Sequence, residues 1–244
     1  MTLRLFVPAD LAPGAFTLGK DQSHYVATVM RARPGDDVVL FNGRHGEWRG
    51  RLNAVGKNAV VVAGEERTRP QAPEPYLWLL AAPIKKDRVD LVAEKAAELG
   101  ASALWPVFTR RTVMSRVNTE RLAAHMVEAA EQCERLPVPA VLEPAPLDKA
   151  LAGWDPARTL LFLDESGAGL PLAQVLADVP AGPLAVLVGP EGGFAPEERA
   201  LLARLPFARP VGLGPRILRA ETAAIAALAI IQALRGDWAR APRG

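Results

Sequence analysis

The chain contains few of the residues that build disulfide and metal sites. Its 244 residues include one cysteine, Cys133, and three histidines. A single cysteine excludes a disulfide framework and a zinc site with several cysteine ligands, and it is typical of a reducing compartment. His24, His45 and His125 lie too far apart for the local spacing of a zinc motif, so we expect no metal site.

Long apolar runs are also missing, although half of the residues are hydrophobic. No run reaches the roughly 20 residues that cross a bilayer. The first ten residues, MTLRLFVPAD, are too short and too interrupted for a signal peptide. We therefore expect a cytoplasmic globular protein, and a chain of this length buries enough surface to fold without disulfides.

Neither sign of charge is in large excess, since 29 basic side chains stand against 27 acidic ones. A net charge of +2 argues against a protein that coats nucleic acid through bulk positive charge. Residues 1–70 carry +3 and residues 71–244 carry −1, so a polyanionic partner would meet the N-terminal part first. Arginine outnumbers lysine by 23 to 6. That ratio suits phosphate binding, but a GC-rich genome also produces it.

The first 70 residues have the pattern of a small β-barrel. Apolar segments of about four to eight residues are separated by turn signals such as Asn42-Gly43 and Gly56-Lys57-Asn58. One helix is predicted at about residues 21–31. The segment RTRPQAPEP then places three prolines between residues 70 and 75, which predicts a stiff linker at residues 71–75.

From residue 76 onward, apolar runs alternate with amphipathic segments. The runs predicted as buried strands are YLWLLAAP, ALWPVF, AVLEP, TLLFLDE, PLAVLVG and ARPVGLG. Helices are expected at residues 87–100, ending at Gly100, and at residues 119–136, 196–204 and 220–234. This order predicts an α/β domain over residues 76–244, with a mostly parallel sheet covered by helices on both faces.

Three loops follow predicted strands, at residues 163–167, 189–194 and 212–219. Ligands in such folds bind beyond the carboxyl ends of strands. The second loop, GPEGGF, can bring bare backbone against a ligand, but it matches neither the Walker pattern nor G-x-G-x-x-G, so a tight structural turn is favoured by pattern alone. In the third loop, Arg216 and Arg219 precede a helix and form an anion-stabilising corner unless they are merely paired or solvated.

Two further basic clusters occupy comparable positions. Residues 85–88, KKDR, begin a helix, where a solvated helix start is favoured and a phosphate site is the alternative. Residues 110–111 follow a strand and would face the same cleft as the loops. Nucleophilic catalysis has little support, because Ser166 lacks a G-x-S-x-G setting and Cys133 is predicted to lie within a helix among carboxylates.

The ordered combination of these motifs resembles a known family. The motifs are Arg4-Leu5-Phe6-Val7, Met30-Arg31 before Gly35-Asp36, Lys86-Asp87-Arg88, KAAELG at residues 95–100, EAAEQ at residues 128–132, GPEGGF at residues 189–194 and LGPRILRAETA at residues 213–223. In this order they are similar to the RsmE family of 16S ribosomal RNA (uracil-N3)-methyltransferases, in the SPOUT superfamily. The resemblance covers essentially the whole chain.

The resemblance implies a PUA-like RNA-binding β-barrel followed by a SPOUT α/β methyltransferase domain with a deep trefoil knot at roughly residues 160–235. It implies S-adenosyl-L-methionine as cofactor, a homodimer, and methylation of N3 of a uridine in the decoding region of 16S rRNA on the small ribosomal subunit. The implied cofactor residues are Leu163, Val188, Gly189, Glu191, Gly192, Gly193, Leu213, Gly214, Ile217 and Leu218. The chain departs from the common pattern at Ala195, where a Ser or Thr cap is frequent, and at Ala220, where Thr is frequent.

Methylation at N3 requires loss of the imide proton, and negative charge then develops on both uracil oxygens. We assign stabilisation of that charge to Arg219. Glu221 would hold the Arg219 guanidinium or accept the proton, and Arg216 would hold RNA phosphate or the loop. The side chains predicted to bind RNA are Arg4, Arg31, Arg33, Lys85, Lys86, Arg88, Arg110 and Arg111.

Three other functions stay open at this point. The first is an α/β enzyme that binds a nucleotide or phosphorylated metabolite through GPEGGF. The second is a knotted methyltransferase that modifies the ribose 2′-oxygen of RNA. The third is an RNA-binding protein of ribosome assembly without catalytic activity.

Overall fold

A computed structural model describes residues 3–56, 59–74 and 76–239, and it divides into two compact units. The first unit comprises residues 1–73 and 130–138, and the second comprises residues 74–129 and 139–244. Lys57 and Asn58 of a predicted turn, and Pro75 of the predicted linker, lie outside the described residues. The sequence did not indicate that residues 130–138 belong with the first unit.

The first unit is built on a five-stranded sheet. Its strands are β1 (Leu3–Phe6), β2 (Gly14–Thr17), β3 (Asp37–Phe41), β4 (Glu47–Val55) and β5 (Val60–Arg69). The order is β1-β3-β4-β5-β2, with β1 parallel to β3 and the other neighbours antiparallel. Helix α1 (Lys20–His24) follows β2 and continues as a π-helical segment at Tyr25–Val29.

Apolar side chains from these strands form the core of the first unit. Leu5 and Val62 are buried together with Val26 of the π-helical segment. A smaller cluster packs Leu136, from the separate segment, near Phe41 of β3. Burial of this apolar surface stabilises the unit, since about 25 cal/mol is gained per Å² removed from water.

A charged cluster ties the segment at residues 130–138 to the sheet of the first unit. Glu47 pairs with Arg4 at 2.5 Å and with Arg69 at 3.0 Å. Both arginines also donate hydrogen bonds to the main-chain oxygen of Glu134. Burial by itself raises the pKa of the Glu47 carboxyl, but hydrogen bonds from Arg4 and Thr68 and the charges of both arginines together hold it below its usual value.

The second unit is built on a parallel sheet. Its strands are β6 (Leu77–Ala81), β7 (Ala103–Phe108), β8 (Ala140–Val141), β9 (Ala145–Pro146), β10 (Thr159–Leu163), β11 (Leu170–Pro171), β12 (Leu184–Val188) and β13 (Ala208–Gly212). The order is β11-β13-β10-β12-β6-β7-β8, and β9 also pairs with β7. Every pairing between these strands is parallel.

Helices cover both faces of this sheet. The helices from residue 86 onward are α2 (Lys86–Glu98), α3 (Thr119–Gln132), α4 (Leu147–Ala152), α5 (Leu172–Asp178), α6 (Pro196–Ala203) and α7 (Ala220–Arg235). On one face, Leu80, Phe162 and Leu187 pack with Leu147 of α4 and Leu202 of α6. Helix α7 contacts β12 but contributes nothing to that cluster, so it covers the opposite face, where α2 and α5 pack against it.

Several predicted elements differ from the observed ones. The segment AVLEP is not a buried strand, because only Ala140–Val141 pair at the sheet edge and neither residue is fully buried. The helix predicted at residues 119–136 ends at Gln132, since Glu134 adopts a φ of +60°, and Cys133 therefore follows the helix. Gly100 does end α2, with a φ of +77°. Within the described residues, no helix combines the length and apolar character needed to cross a bilayer.

Candidate active site

Three loops meet at the carboxyl edge of the sheet in the second unit. They follow β10, β12 and β13. These strands lie side by side in the order β13-β10-β12, although β13 begins at Ala208 and β10 begins at Thr159, far apart in the sequence. The loops surround a cavity of about 690 Å³, which is the size of a small-molecule site. All ten predicted cofactor residues line it: Leu163, Val188, Gly189, Glu191, Gly192, Gly193, Leu213, Gly214, Ile217 and Leu218.

The loop at residues 189–194 depends on its glycines. Gly193 has a φ of +66°, and a side chain there would collide with the carboxylate of Glu165. A side chain at Gly189 would lie 3.2 Å from the ring of Phe194, which is fully buried. The amide of Gly193 donates to the carbonyl of Pro190 at 2.8 Å. The segment is therefore both a tight turn and a cavity wall of bare backbone.

The cavity wall carries charges of both signs. Asp164, Glu165 and Glu191 supply carboxylates, and Arg216 and Arg219 supply guanidinium groups. Asp164 is buried, and its two oxygens accept hydrogen bonds from the amide and the hydroxyl group of Ser166. Both arginines are exposed and have no hydrogen bond or ion pair with any described residue. Their guanidinium groups are thus available to a ligand.

Glu221 does not pair with Arg219, although the first of its two predicted roles requires that pairing. It is 9% exposed, lies in the first turn of α7, and does not line the cavity. Its Oε1 atom is 3.5 Å from a guanidinium nitrogen of Arg88, so Arg88 and not Arg219 is its ionic partner. The same nitrogen of Arg88 lies 3.9 Å from Glu191. Sequence reasoning could not find this pairing, because 133 positions separate Arg88 from Glu221.

Sequence reasoning also missed the role of Glu198 in α6. Its buried carboxylate accepts hydrogen bonds from the amide of Ala195 at 2.9 Å and from the amide of Arg110 at 2.8 Å. It therefore ties the loop after β7 to the loop after β12. The signal available was a glutamate three residues after the N-cap, which is the second half of a capping box. The first half is missing because Ala195 has no side-chain oxygen.

The residues predicted to bind RNA fall into two groups in the structure. Five are exposed and have no side-chain partner among the described residues: Arg31 and Arg33 in the first unit, and Lys85, Lys86 and Arg110 in the second. The other three are engaged by the protein. Arg4 has only 9% of its side chain exposed and lies over the ring of Phe41 while it pairs with Glu47. Arg88 pairs with two carboxylates, and Arg111 donates to the carbonyl of Gly192 at 2.7 Å.

Two family models match the chain. The RNA methyltransferase domain matches residues 71–232, and the RNA methyltransferase PUA domain matches residues 18–63. The chain is also 34% identical over 238 residues to the ribosomal RNA small subunit methyltransferase E of Rickettsia conorii, with 95% of each chain covered. The chain belongs to the ribosomal RNA small subunit methyltransferase E family. The protein of that name from Synechocystis is 32% identical, covering 96% of this chain and 78% of the relative.

Solved structures of the family agree with this assignment. A ribosomal RNA small subunit methyltransferase E from Neisseria gonorrhoeae, bound to S-adenosyl methionine, has a TM-score of 0.88 at 29% identity and covers 98% of this chain and 100% of that one. A methyltransferase from Legionella pneumophila in complex with the same cofactor has a TM-score of 0.87 at 31% identity, covering 97% and 99%. The predicted family, the PUA-like and SPOUT fold class and the RNA methyltransferase class are confirmed. The trefoil knot stays a prediction.

Proposed function

We propose that this chain transfers a methyl group from S-adenosylmethionine to N3 of a uridine in the decoding region of 16S rRNA, on the small ribosomal subunit. The observation that carries the proposal is the cavity at the carboxyl edge, where Arg216 and Arg219 lie beside loops of bare backbone and have no partner among the residues that the structure describes. Family membership supports the substrate class, and the two cofactor-bound relatives support the choice of methyl donor.

The residues of the cavity fit S-adenosylmethionine. Apolar side chains such as Leu213 and Leu218, with backbone groups of the glycines, suit an adenine ring, and the carboxylates of Glu165 and Glu191 suit a ligand that carries positive charge. The ten cofactor residues named above would hold the molecule. When bound, it supplies a methyl group activated by an adjacent sulfonium. Calorimetry should therefore show binding of S-adenosylmethionine and none of ATP, which would exclude a phosphate-binding loop.

Arg219 is proposed to stabilise the negative charge that develops on the uracil oxygens as N3 loses its proton. Arg219 lines the cavity, and its guanidinium has no competing partner among the described residues, as such a role requires. Arg216 is proposed to hold an RNA phosphate or the loop. Glu221 leaves the set of groups that touch substrate, because it is buried outside the cavity and paired with Arg88.

RNA is proposed to contact the exposed cations of both units. In the first unit, residues 1–70 are proposed as the RNA-binding barrel, with Arg31 and Arg33 as contacts. In the second unit, which begins after the proposed linker at residues 71–75, the contacts are Lys85, Lys86 and Arg110. Replacing any one of them by Ala should lower the slope of log affinity against log salt by about one if it neutralises a phosphate. An unchanged slope would remove that residue from the set.

The quaternary structure, the knot and the location are parts of the same proposal. We infer a homodimer, since Leu234 in the last turn of α7 and Trp238 just after this helix are 53% and 52% exposed, and a subunit interface would cover them. Analytical ultracentrifugation of the full chain tests this directly. A knot at roughly residues 160–235 and a cytoplasmic location are also proposed, by analogy with the family.

Primer extension separates the proposal from its two RNA-directed alternatives. A methyl group on N3 blocks Watson–Crick pairing, so reverse transcriptase should stop at one uridine of 16S rRNA after incubation with the chain and S-adenosylmethionine. Incorporation of labelled methyl without such a stop would favour 2′-oxygen methylation. No incorporation into free 16S rRNA or into small subunits would favour a binding protein without catalytic activity.

A further inference from the structure

Arg88 lies between a carboxylate of the cavity wall, that of Glu191, and a buried carboxylate outside the cavity, that of Glu221. It sits in the first turn of α2, and one of its guanidinium nitrogens is 3.5 Å from Glu221 and 3.9 Å from Glu191. Arg88 does not itself line the cavity. Two carboxylates at this distance compete with any phosphate for the same guanidinium, which argues against the RNA contact predicted from the sequence.

The carboxylate of Glu221 needs this partner. The residue is 91% buried, its Oε2 atom has no hydrogen-bond partner in the described part of the chain, and Arg88 is the cation within 4 Å of its other oxygen. A buried carboxylate without a cation is strongly destabilising, because desolvation is not compensated. Loss of Arg88 would therefore force the Glu221 carboxylate to move toward water.

Both carboxylates are attached to parts of the site. Glu191 belongs to the loop after β12 that lines the cavity, and Glu221 lies two residues after Arg219, the N-cap of α7. Arg111 holds the same loop through the carbonyl of Gly192. We infer that Arg88 is a positioning residue: it fixes the cofactor loop and the helix start that carries Arg219 relative to one another.

The test compares Arg88→Ala with the wild-type chain in two measurements. Calorimetry without RNA gives the Kd for S-adenosylmethionine, and steady-state kinetics with RNA gives kcat. We expect a rise of about tenfold in the Kd for S-adenosylmethionine and a loss of kcat on the order of tenfold to a hundredfold, as misplacement of a reacting group produces. The salt dependence of RNA binding should not change. Arg88→Lys keeps the charge and should recover part of both losses.

A matched control separates positioning from general stability. Arg121 pairs with Asp90, also on α2, and its side chain is 32% exposed against 31% for Arg88. Arg121→Ala should reduce stability without changing the Kd for S-adenosylmethionine. Lys86→Ala should show the opposite phenotype to Arg88→Ala, with a lower salt slope and normal cofactor affinity.

Three results would overturn the inference. One is a normal Kd and kcat in Arg88→Ala with a salt slope lower by about one, which indicates a phosphate contact. Another is an equal loss of cofactor affinity in Arg121→Ala. The third is a fully additive loss when Glu221→Gln is combined with Arg88→Ala, because residues that act through one ion pair should be non-additive. The inference rests on the proposed cofactor, so absence of binding by the wild-type chain would refute the proposed function instead.

Discussion

At the carboxyl edge of the sheet in the second unit, Arg216 and Arg219 are exposed and have no hydrogen bond or ion pair with described residues, whereas at the amino edge Arg158 is 2% exposed. Arg158 donates hydrogen bonds to the carbonyls of Tyr76 and Leu184, at 3.2 and 3.3 Å. Burial lowers its pKa, opposed by Tyr76 and by the charge of a neighbouring aspartate. The two edges thus use one residue type in opposite ways.

The surroundings of Arg158 explain the difference. Its guanidinium lies 3.9 Å from the centre of the Trp78 ring, and Trp78 packs edge-on against Trp105 and Trp154. Trp154 in turn stacks on Phe207. Two aromatic rings and two main-chain carbonyls hold this cation in place, although its buried Nε atom has no hydrogen-bond partner among the described residues. Arg158 therefore belongs to the structure. A cation that the protein leaves unsatisfied beside a cavity is the better candidate for chemistry, and the following experiments test that distinction.

The largest effect is expected at the carboxyl edge. Arg219→Ala should lower kcat by about 10²- to 10³-fold, since one donor that stabilises developing negative charge is removed. The Kd for S-adenosylmethionine and the midpoint of chemical unfolding should change little, because Arg219 has no hydrogen bond or ion pair to lose in the described part of the chain. A near wild-type rate, measured by methyl incorporation into 16S rRNA, would contradict the assignment.

The reverse phenotype is expected at the amino edge. Arg158→Ala should reduce the free energy of unfolding by about 2–4 kcal/mol, because the carbonyls of Tyr76 and Leu184 each lose a hydrogen bond and two aromatic rings lose a packed cation. Denaturant titration measures the loss. At a temperature where the variant is folded, its kcat should equal that of the wild-type chain, and a reduced kcat there would break the contrast between the edges.

The first unit also contains arginines that the protein itself engages, and their ion pairs with Glu47 can be tested by changing the pH. The pKa of Glu47 is lowered in the folded chain, so the stabilisation it contributes is complete above its unfolded pKa and is lost as pH falls through its folded pKa. Glu47→Gln should cost about 1–3 kcal/mol at pH 7, where Arg4 and Arg69 lose their ionic partner. The difference from wild type should shrink under acid, as followed by unfolding at pH 7 and pH 3. A difference independent of pH would exclude the ion pairs as its cause.

The smallest effect is a gain in stability close to the cavity. Ala195→Ser supplies the side-chain oxygen that the N-cap of α6 lacks, and the gain should be about 0.5–1 kcal/mol. Differential scanning calorimetry with and without S-adenosylmethionine would show whether cofactor affinity stays constant. Glu198→Gln is the informative comparison, because it weakens the two hydrogen bonds that already hold this helix start.

Features that depend on neighbouring residues could be predicted from the sequence. Gly100 ends α2, Pro196 begins α6, and the apolar runs of β10 and β12 are buried strands, because each follows from local conformational preference or from hydrophobic pattern. The short helices α4 and α5 were missed, since a segment of six or seven residues shows too little of the helical period. Strand β2 was missed because Phe16 is its only large apolar residue.

Features that depend on distant residues could not be predicted in this way. The pairing of Arg88 with Glu221, the burial of Arg4 against Glu47 and the inclusion of residues 130–138 in the first unit all join segments far apart along the chain. The sequence around an arginine does not indicate whether the folded protein will supply partners for its guanidinium group. Family resemblance located the cavity residues, and the structure was needed to separate free cations from engaged ones.

The positions of the tryptophans give the molecule a built-in optical probe. Trp78, Trp105 and Trp154 emit from the amino edge, and none of the five tryptophans, all within the described residues, lines the cavity. Intrinsic fluorescence should therefore report unfolding while staying insensitive to direct contact with a ligand at the opposite edge. Since a ligand that binds only the folded state raises its stability by RT ln(1 + [L]/Kd), the shift of a fluorescence melting curve with cofactor concentration yields the binding constant without a label.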